Sequence, residues 1–214
     1  MTKERLILAG GGGFGRELAS WADHCAAAGS LPALAGFIDD RPEAMAGHGT
    51  PWLGGFADYR VETGDLFLLA VGNPATKARM VASLRERGGR FARLIHPSAV
   101  LGRNQQHGEG VIMAPLSMNT ADTQLGDFVT LLSFSGLGHD ASAGDFTTIS
   151  SHVDVMGGAK VGRRVLIGSG ARIMPGVSVG DDARIGAGGL VLRSVKEGTT
   201  MFAQPAKRLR LEPR

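Results

Sequence analysis

The sequence predicts a two-part chain: a small parallel α/β half domain over residues 1–96, then a β-solenoid of six-residue repeats over residues 97–214. Three observations carry this. An aliphatic residue recurs at every sixth position from Leu101 to Val191, broken only at His107, Asn119 and Ala143. The residue after it is often glycine (Gly102, Gly126, Gly138, Gly162, Gly168, Gly180), and the one two before it alternates Val153, Ala159, Val165, Ala171, Val177, Ala183. Upstream, a short apolar run meets a glycine loop and then an amphipathic stretch, the order of strand, turn and helix.

A period of six fits neither a helix nor an isolated strand. It fits a solenoid whose short extended faces stack roughly 4.8 Å apart, each turn keeping its aliphatic residue inside. Three hexads make one triangular coil, so residues eighteen apart lie above one another, and the run supplies about five coils. The glycine and the small residue belong where the chain rounds a corner and has no room for bulk.

In the first part, Arg5 to Ala9 reads as a buried parallel strand, and Gly10, Gly12 and Gly15 have the spacing of a dinucleotide-binding loop. A helix is expected from Arg16 to Ala28, with Leu18, Trp21, Ala22 and Cys25 on one side. A second strand, Ala33 to Ile38, ends in Asp39 and Asp40, whose carboxylates suit a ribose or a base. A third, Leu66 to Val71, ends in Gly72-Asn73-Pro74; a helix over Ala75 to Arg87 and a strand over Arg90 to Ile95 complete about half of a dinucleotide-binding sheet. Half a sheet holds one nucleotide more readily than two, which points to a nucleoside-diphosphate site at these strand ends.

Composition narrows the class. The 33 glycines come with a normal aliphatic content, so corners rather than disorder explain them. A net charge of +3, with basic residues gathered in the tail Lys207, Arg208, Arg210 and Arg214, argues against a nucleic-acid protein; the tail suits the phosphates of a cofactor and equally the plain solvation of a terminus. The single Cys25 cannot form an internal disulfide and suits a reducing, cytoplasmic setting. Leu6 to Ala9 is too short for a signal peptide, and no apolar stretch approaches the length of a membrane span.

Among six histidines His139 stands apart. It follows Leu137 and Gly138, so its ring leaves the solenoid at a corner, and eighteen residues on comes Gly157, whose missing side chain opens a gap above the imidazole. An imidazole beside bare backbone N–H groups is usable for acyl transfer: the base takes a proton from an amine or hydroxyl, and an N–H holds the oxyanion that develops on a thioester carbonyl. Asp140 is adjacent, although neighbours on an extended segment point to opposite faces. Asp127, Asp145 and Asp181 also follow corner glycines, so Gly-Asp is turn chemistry as well. His152 is a second candidate. The spacing of His107, His139 and His152 gives no metal-ligand pair, so no metal is expected, and the methionines read as packing.

The segments AGGGGFGRE, GFIDD, AVGNPATKARM, IHPSAV, GHDASAGDF, GSGARIMPGVSVGDDARIGAGGLVLRSV and PAKR together resemble the bacterial nucleotide-sugar N-acetyltransferases of the hexapeptide-repeat sialic acid O-acetyltransferase superfamily, with bacillosamine and perosamine N-acetyltransferases as the nearest members. The resemblance covers nearly the whole chain. It implies a Rossmann-like domain followed by a left-handed parallel β-helix, a homotrimer with acetyl-CoA between neighbouring subunits, and a nucleotide sugar on the N-terminal domain. The implied reaction is acetyl transfer to the C4 amine of a nucleotide-linked 4-amino-4,6-dideoxy sugar for surface polysaccharide. It makes His139 the base and Asp140 its acidic neighbour, with the Gly157 amide facing the thioester. Thr148, Ser169 and Ala187 fall along the CoA channel, and Gly13, Phe14, Gly15, Asp39, Asp40, Gly72 and Asn73 at the nucleotide sugar. Some members carry histidine in place of Phe14 or Thr148; Leu132-Ser133 replaces a common Asn-Thr pair, and Ala203 a glycine. The alternatives are a sugar O-acetyltransferase, a nicotinamide-dependent oxidoreductase on the glycine loop, and a non-catalytic trimeric sugar-binding scaffold.

Overall fold

A computed structural model describes residues 4–204, so Lys207 and the rest of the basic tail lie outside the described residues. The first part runs β1 (Arg5–Ala9), α1 (Gly13–Ala27), β2 (Leu34–Ile38), β3 (Trp52–Gly54), β4 (Asp65–Leu69), α2 (Pro74–Glu86) and β5 (Arg90–Phe91). The strands are parallel in the order β3-β2-β1-β4-β5. Their side chains divide by alternation: Leu6, Leu8, Leu66, Leu68 and Phe37 pack with α1, while Ile7, Ala9, Phe67, Leu69 and Ile38 pack with Val81 and Leu84 of α2. Both faces are covered, which is why β1 and β4 are continuous apolar runs rather than alternating ones.

The helix boundaries differ from the sequence expectation in an instructive way. α1 starts at Gly13, three residues before Arg16, and the Arg16 N–H already donates to Gly12 O at 3.1 Å. Glycines carry no side-chain signal for a helix start, so the pattern begins only at Arg16. Gly15 is required for another reason: a Cβ there would lie 2.5 Å from Gly10 O. The expected strand Arg90 to Ile95 is two strands. Arg90–Phe91 pairs with β4, whereas Leu94–Ile95 pairs with Ile112–Met113 of the second part.

That second part is a left-handed β-helix, a triangular prism of two-residue strands in three parallel sheets of six, five and seven strands. Inward on the first face stand Leu101, Asn119, Leu137, Val155, Ile173 and Val191; on the second His107, Leu125, Ala143, Val161 and Val179; on the third Ile95, Met113, Leu131, Ile149, Ile167, Ile185 and Met201. Partners are eighteen apart, as in Leu137↔Val155. The column begins at Leu94 and ends at Met201, beyond the run legible in the sequence at both ends. Near the top the period slips, and Val195 bridges Val179 from a shortened turn.

The glycine after each aliphatic is a place of close approach: a Cβ on Gly138 would lie 2.6 Å from Gly157 N, and one on Gly168 2.6 Å from Ala187 N. The residue with left-handed backbone comes two positions later. Ten of these, from Asn104 to Asp182 and including Asp140 and His152, are not glycine and hold φ of 53–61°. The small residues Val153, Ala159, Val165, Ala171, Val177 and Ala183 point inward and fill the core.

The first domain sits on the third face and the corner leading into it. Leu94, Ile112 and Ala114 join the α1-side core, and Phe128 the α2-side core. Phe128 stacks on Phe146 at 5.3 Å, meets Phe91 edge-on at 4.9 Å, and lies under the Arg85 guanidinium, which also pairs with Glu109.

Candidate active site

The corner after the first face carries Leu137, Gly138, His139 and Asp140. His139 Nδ1 and Asp140 Oδ2 are 2.8 Å apart. The expectation that neighbouring side chains diverge does not hold here, because the left-handed φ of 60° at Asp140 turns the chain and folds the two side chains together. A carboxylate only accepts, so Nδ1 carries the proton and Nε2 presents its lone pair. Nε2 faces the storey above: a Cβ on Gly157 would lie 2.6 Å from it. The stacking is fixed by the Gly158 N–H, which donates to His139 O at 2.7 Å. Among the described residues the Gly157 N–H has no acceptor. An imidazole nitrogen and a free N–H donor thus stand side by side, open to solvent in the single chain, with His139 73% and Asp140 66% exposed.

A second group assembles between the domains. Gly13, Phe14 and Glu17 of α1, Gly72 and Asn73 before α2, and Thr130, Leu132, Thr148, Ser150 and Leu166 of the prism surround a cleft of about 470 Å³. Both helices open on it. α1 has no side-chain cap, and the Asn73 side chain accepts from Thr76 N at 3.0 Å, so two N-terminal ends of partial positive charge converge. Gly15 is not in this cleft; it packs under Gly10.

Asp39 and Asp40 border a neighbouring hollow of about 290 Å³ with Gly10, Ile38, Phe56, Val71 and Met80. Asp39 holds the glycine loop: Oδ2 accepts from Gly11 N at 2.8 Å, and Oδ1 from Arg41 N at 3.0 Å. Burial pushes this carboxyl up, but hydrogen bonds from Arg41 and Gly11 and the charge of Arg41 outweigh it and hold it below the ordinary carboxylate range. Asp40 spends one oxygen on Phe56 N at 2.9 Å. The Trp52 indole donates to Asp39 O at 2.9 Å beside them.

Ser169 and Ala187 stack on each other at the corner after the third face, where the Gly188 N–H donates to Ser169 O at 2.8 Å. That is a different corner from His139. The corner between faces one and two lies opposite face three, so within one chain His139 is separated by the width of the prism from Thr148, Ser169, Ala187 and the interdomain cleft. His152 is elsewhere again, stacked on Phe134 at 4.9 Å. Among the described residues no three His, Cys, Asp or Glu side chains converge as metal ligands, and no helix is long and apolar enough to cross a membrane.

The sequence reading missed Lys77. It is 1% exposed, and its Nζ lies within hydrogen-bond distance of Phe128 O (2.9 Å), Thr130 Oγ1 (2.8 Å) and Thr148 Oγ1 (3.0 Å), where either hydroxyl can donate or accept. Burial lowers its pKa to about 7. The available signal was its place one turn after the Asn73 cap.

Residues 5–84 match the PglD N-terminal domain family, and residues 158–193 the bacterial transferase hexapeptide (six repeats) family. No curated protein sequence matches the chain significantly. Among solved structures, a histidine-to-asparagine variant of perosamine N-acetyltransferase from Caulobacter crescentus, in complex with CoA and GDP-perosamine, is 27% identical with a TM-score of 0.86, covering 96% of this chain and 97% of that one. The acetyltransferase domain of PglB from Neisseria gonorrhoeae is 26% identical at a TM-score of 0.85, covering 97% and 100%. WeeI from Acinetobacter baumannii shares the fold at 24% identity and a TM-score of 0.83, covering 97% and 100%. An N-terminal domain of the PglD type, a hexapeptide prism and full-length likeness to the perosamine and PglB enzymes mark the chain as an acyltransferase similar to the bacterial nucleotide-sugar N-acetyltransferases.

Proposed function

We propose that the chain transfers an acetyl group from acetyl-CoA to the C4 amine of a nucleotide-linked 4-amino-4,6-dideoxy sugar, by direct attack within a trimer. One observation carries the reading: His139, its Nδ1 held by Asp140, turns Nε2 onto the bare backbone of Gly157. The amine nitrogen attacks the thioester carbonyl while His139 Nε2 accepts its proton. The Gly157 N–H donates to the oxyanion; collapse expels the CoA thiolate, which recovers the proton from the imidazolium. No side-chain nucleophile is needed.

The substrate class rests on the cleft. Two helix N-termini suit a diphosphate, and the perosamine enzyme of the same fold is described with CoA and GDP-perosamine. The trimer rests on the separation across the prism. With His139 and the cleft on opposite sides of one column, a neighbouring copy must bring one column's corner to the next column's cleft. The outward side of the first face supplies a contact surface, with Val100, Met118 and Leu190 exposed and Leu116 and Phe134 along its edge. In that arrangement Thr148, Ser169 and Ala187 of one subunit and His139 of the next border a shared groove for CoA.

The test is incubation with acetyl-CoA and a panel of UDP-, dTDP- and GDP-linked 4-amino sugars, following product mass and free CoA thiol. Acetylated nucleotide sugar resistant to hydroxylamine is expected, as for an amide. A hydroxylamine-labile product would mean transfer to a hydroxyl, and no acetylated product with any acceptor would overturn the reading.

A further inference from the structure

Lys77 leaves α2 one turn after its N-cap and ends inside the interdomain seam. Its three partners, Phe128 O, Thr130 Oγ1 and Thr148 Oγ1, are all neutral. Among the described residues no carboxylate pairs with it, whereas the other deeply buried charged group, Asp65, is matched by Arg5 and Tyr59. The charged groups around it are engaged elsewhere or stand off. Arg79 bonds the Thr76 hydroxyl on α2, and Arg85 pairs with Glu109 behind Phe128. Arg164 grips Asp182 at 2.6 and 2.7 Å in the hollow that Arg184 shares with Pro74 and Ala75. Glu17 on α1 borders the cleft without reaching Nζ.

A buried ammonium with only neutral partners is costly. The N-termini of α1 and α2 add partial positive charge around the same cleft and oppose a full charge at Nζ. Two of the three partners, Thr130 and Thr148, also line that cleft, beside Gly13, Phe14, Gly72 and Asn73. An anion there would reverse the balance, because a nearby opposite charge favours the protonated amine.

We propose that Lys77 is the positioning residue of the cleft: neutral when the cleft is empty, it takes up one proton from solvent as the diphosphate diester of a nucleotide sugar enters, and the ammonium then fixes the Thr130 and Thr148 hydroxyls against the ligand. This rests on the nucleotide-sugar reading given above. It also separates the two diphosphates in the reaction, assigning the proton to the sugar nucleotide and not to CoA.

Isothermal titration with UDP-glucose, dTDP-glucose and GDP-mannose, whose diphosphate diesters do not titrate near neutrality, tests it in Tris and in HEPES, which differ in ionisation enthalpy. Wild-type protein should take up most of one proton at pH 8 and close to none at pH 6. The sign follows from a free-protein pKa of about 7: above it the proton must be acquired, below it the proton is already present. Affinity should therefore be highest below pH 7 and fall by up to about tenfold per unit from pH 7.5 to 9. Lys77→Met should abolish the uptake and flatten the profile. Thr148→Val, which keeps the shape and removes one acceptor, should move the uptake to lower pH, and it reports even where Lys77→Met does not fold. Binding without proton exchange, uptake retained in Lys77→Met, or Lys77-dependent uptake with dephospho-CoA instead, would overturn the proposal and leave the nucleotide-sugar reading standing. Saturable binding of none of the sugar nucleotides would overturn both.

Discussion

Two corners of the prism are built from the same turn and do different things. After the second face, the corner position is acidic except at Arg163, and three of its carboxylates cap the N–H of the storey below: Asp127 on Glu109, Asp145 on Asp127, Asp181 on Arg163, at 2.8–3.0 Å. After the first face the same position reads Ala121, His139, Gly157 and Pro175, and the Gly157 N–H has no cap among the described residues. On the proposed mechanism, a repeating scaffold makes a reactive corner by withholding a cap that its neighbour supplies at three storeys and placing an imidazole below the vacancy.

Substitutions that blur this contrast should rank accordingly. His139→Ala removes the base and should lower kcat by about 10² to 10⁴, with CoA affinity little changed, as read by steady-state kinetics and CoA titration; a variant within twofold of wild type would contradict the assignment. Gly157→Ala puts a methyl 2.6 Å from Nε2 and must displace the ring or the backbone. Misplacement on that scale should cost about a hundredfold in kcat, and an unimpaired variant would mean that the acyl group lies elsewhere. Asp140→Asn keeps the shape but permits the wrong imidazole tautomer; about a tenfold loss in kcat/KM is expected for so exposed a pair, and equal rates would reduce Asp140 to a corner residue. At the other corner, Asp181→Ala should leave kcat within twofold while lowering stability by about 1–2 kcal/mol, measured by thermal melting. A comparable loss of catalysis there would erase the distinction between the corners.

Much of this was legible in the sequence. The prism is visible because its inward positions are aliphatic at a fixed interval, and counting eighteen residues was enough to place Gly157 above His139. The conformation of Asp140 was not, since left-handed corners accept Phe, Arg, His and Asp alike and leave no compositional mark. β3 was missed because Trp52–Gly54 sits in a Pro- and Gly-rich stretch without alternation. The split between Phe91 and Leu94 was hidden because both halves read as one apolar run. Lys77 was invisible for a different reason: its partners come from 51 to 71 residues away, and a helix periodicity places a lysine on the surface by default.

The eighteen-residue storey also sets how such a protein can change length. Deleting one whole storey above Gly158, or inserting one, would restack every face on its own kind and move the top of the column by a single rung, leaving the imidazole and the bare glycine in register. Deleting a lone hexad would instead rotate everything above it by a third of a turn, carrying each face onto a foreign neighbour. Insertions in this lineage should therefore arrive in eighteens, or else bulge outward as corner loops.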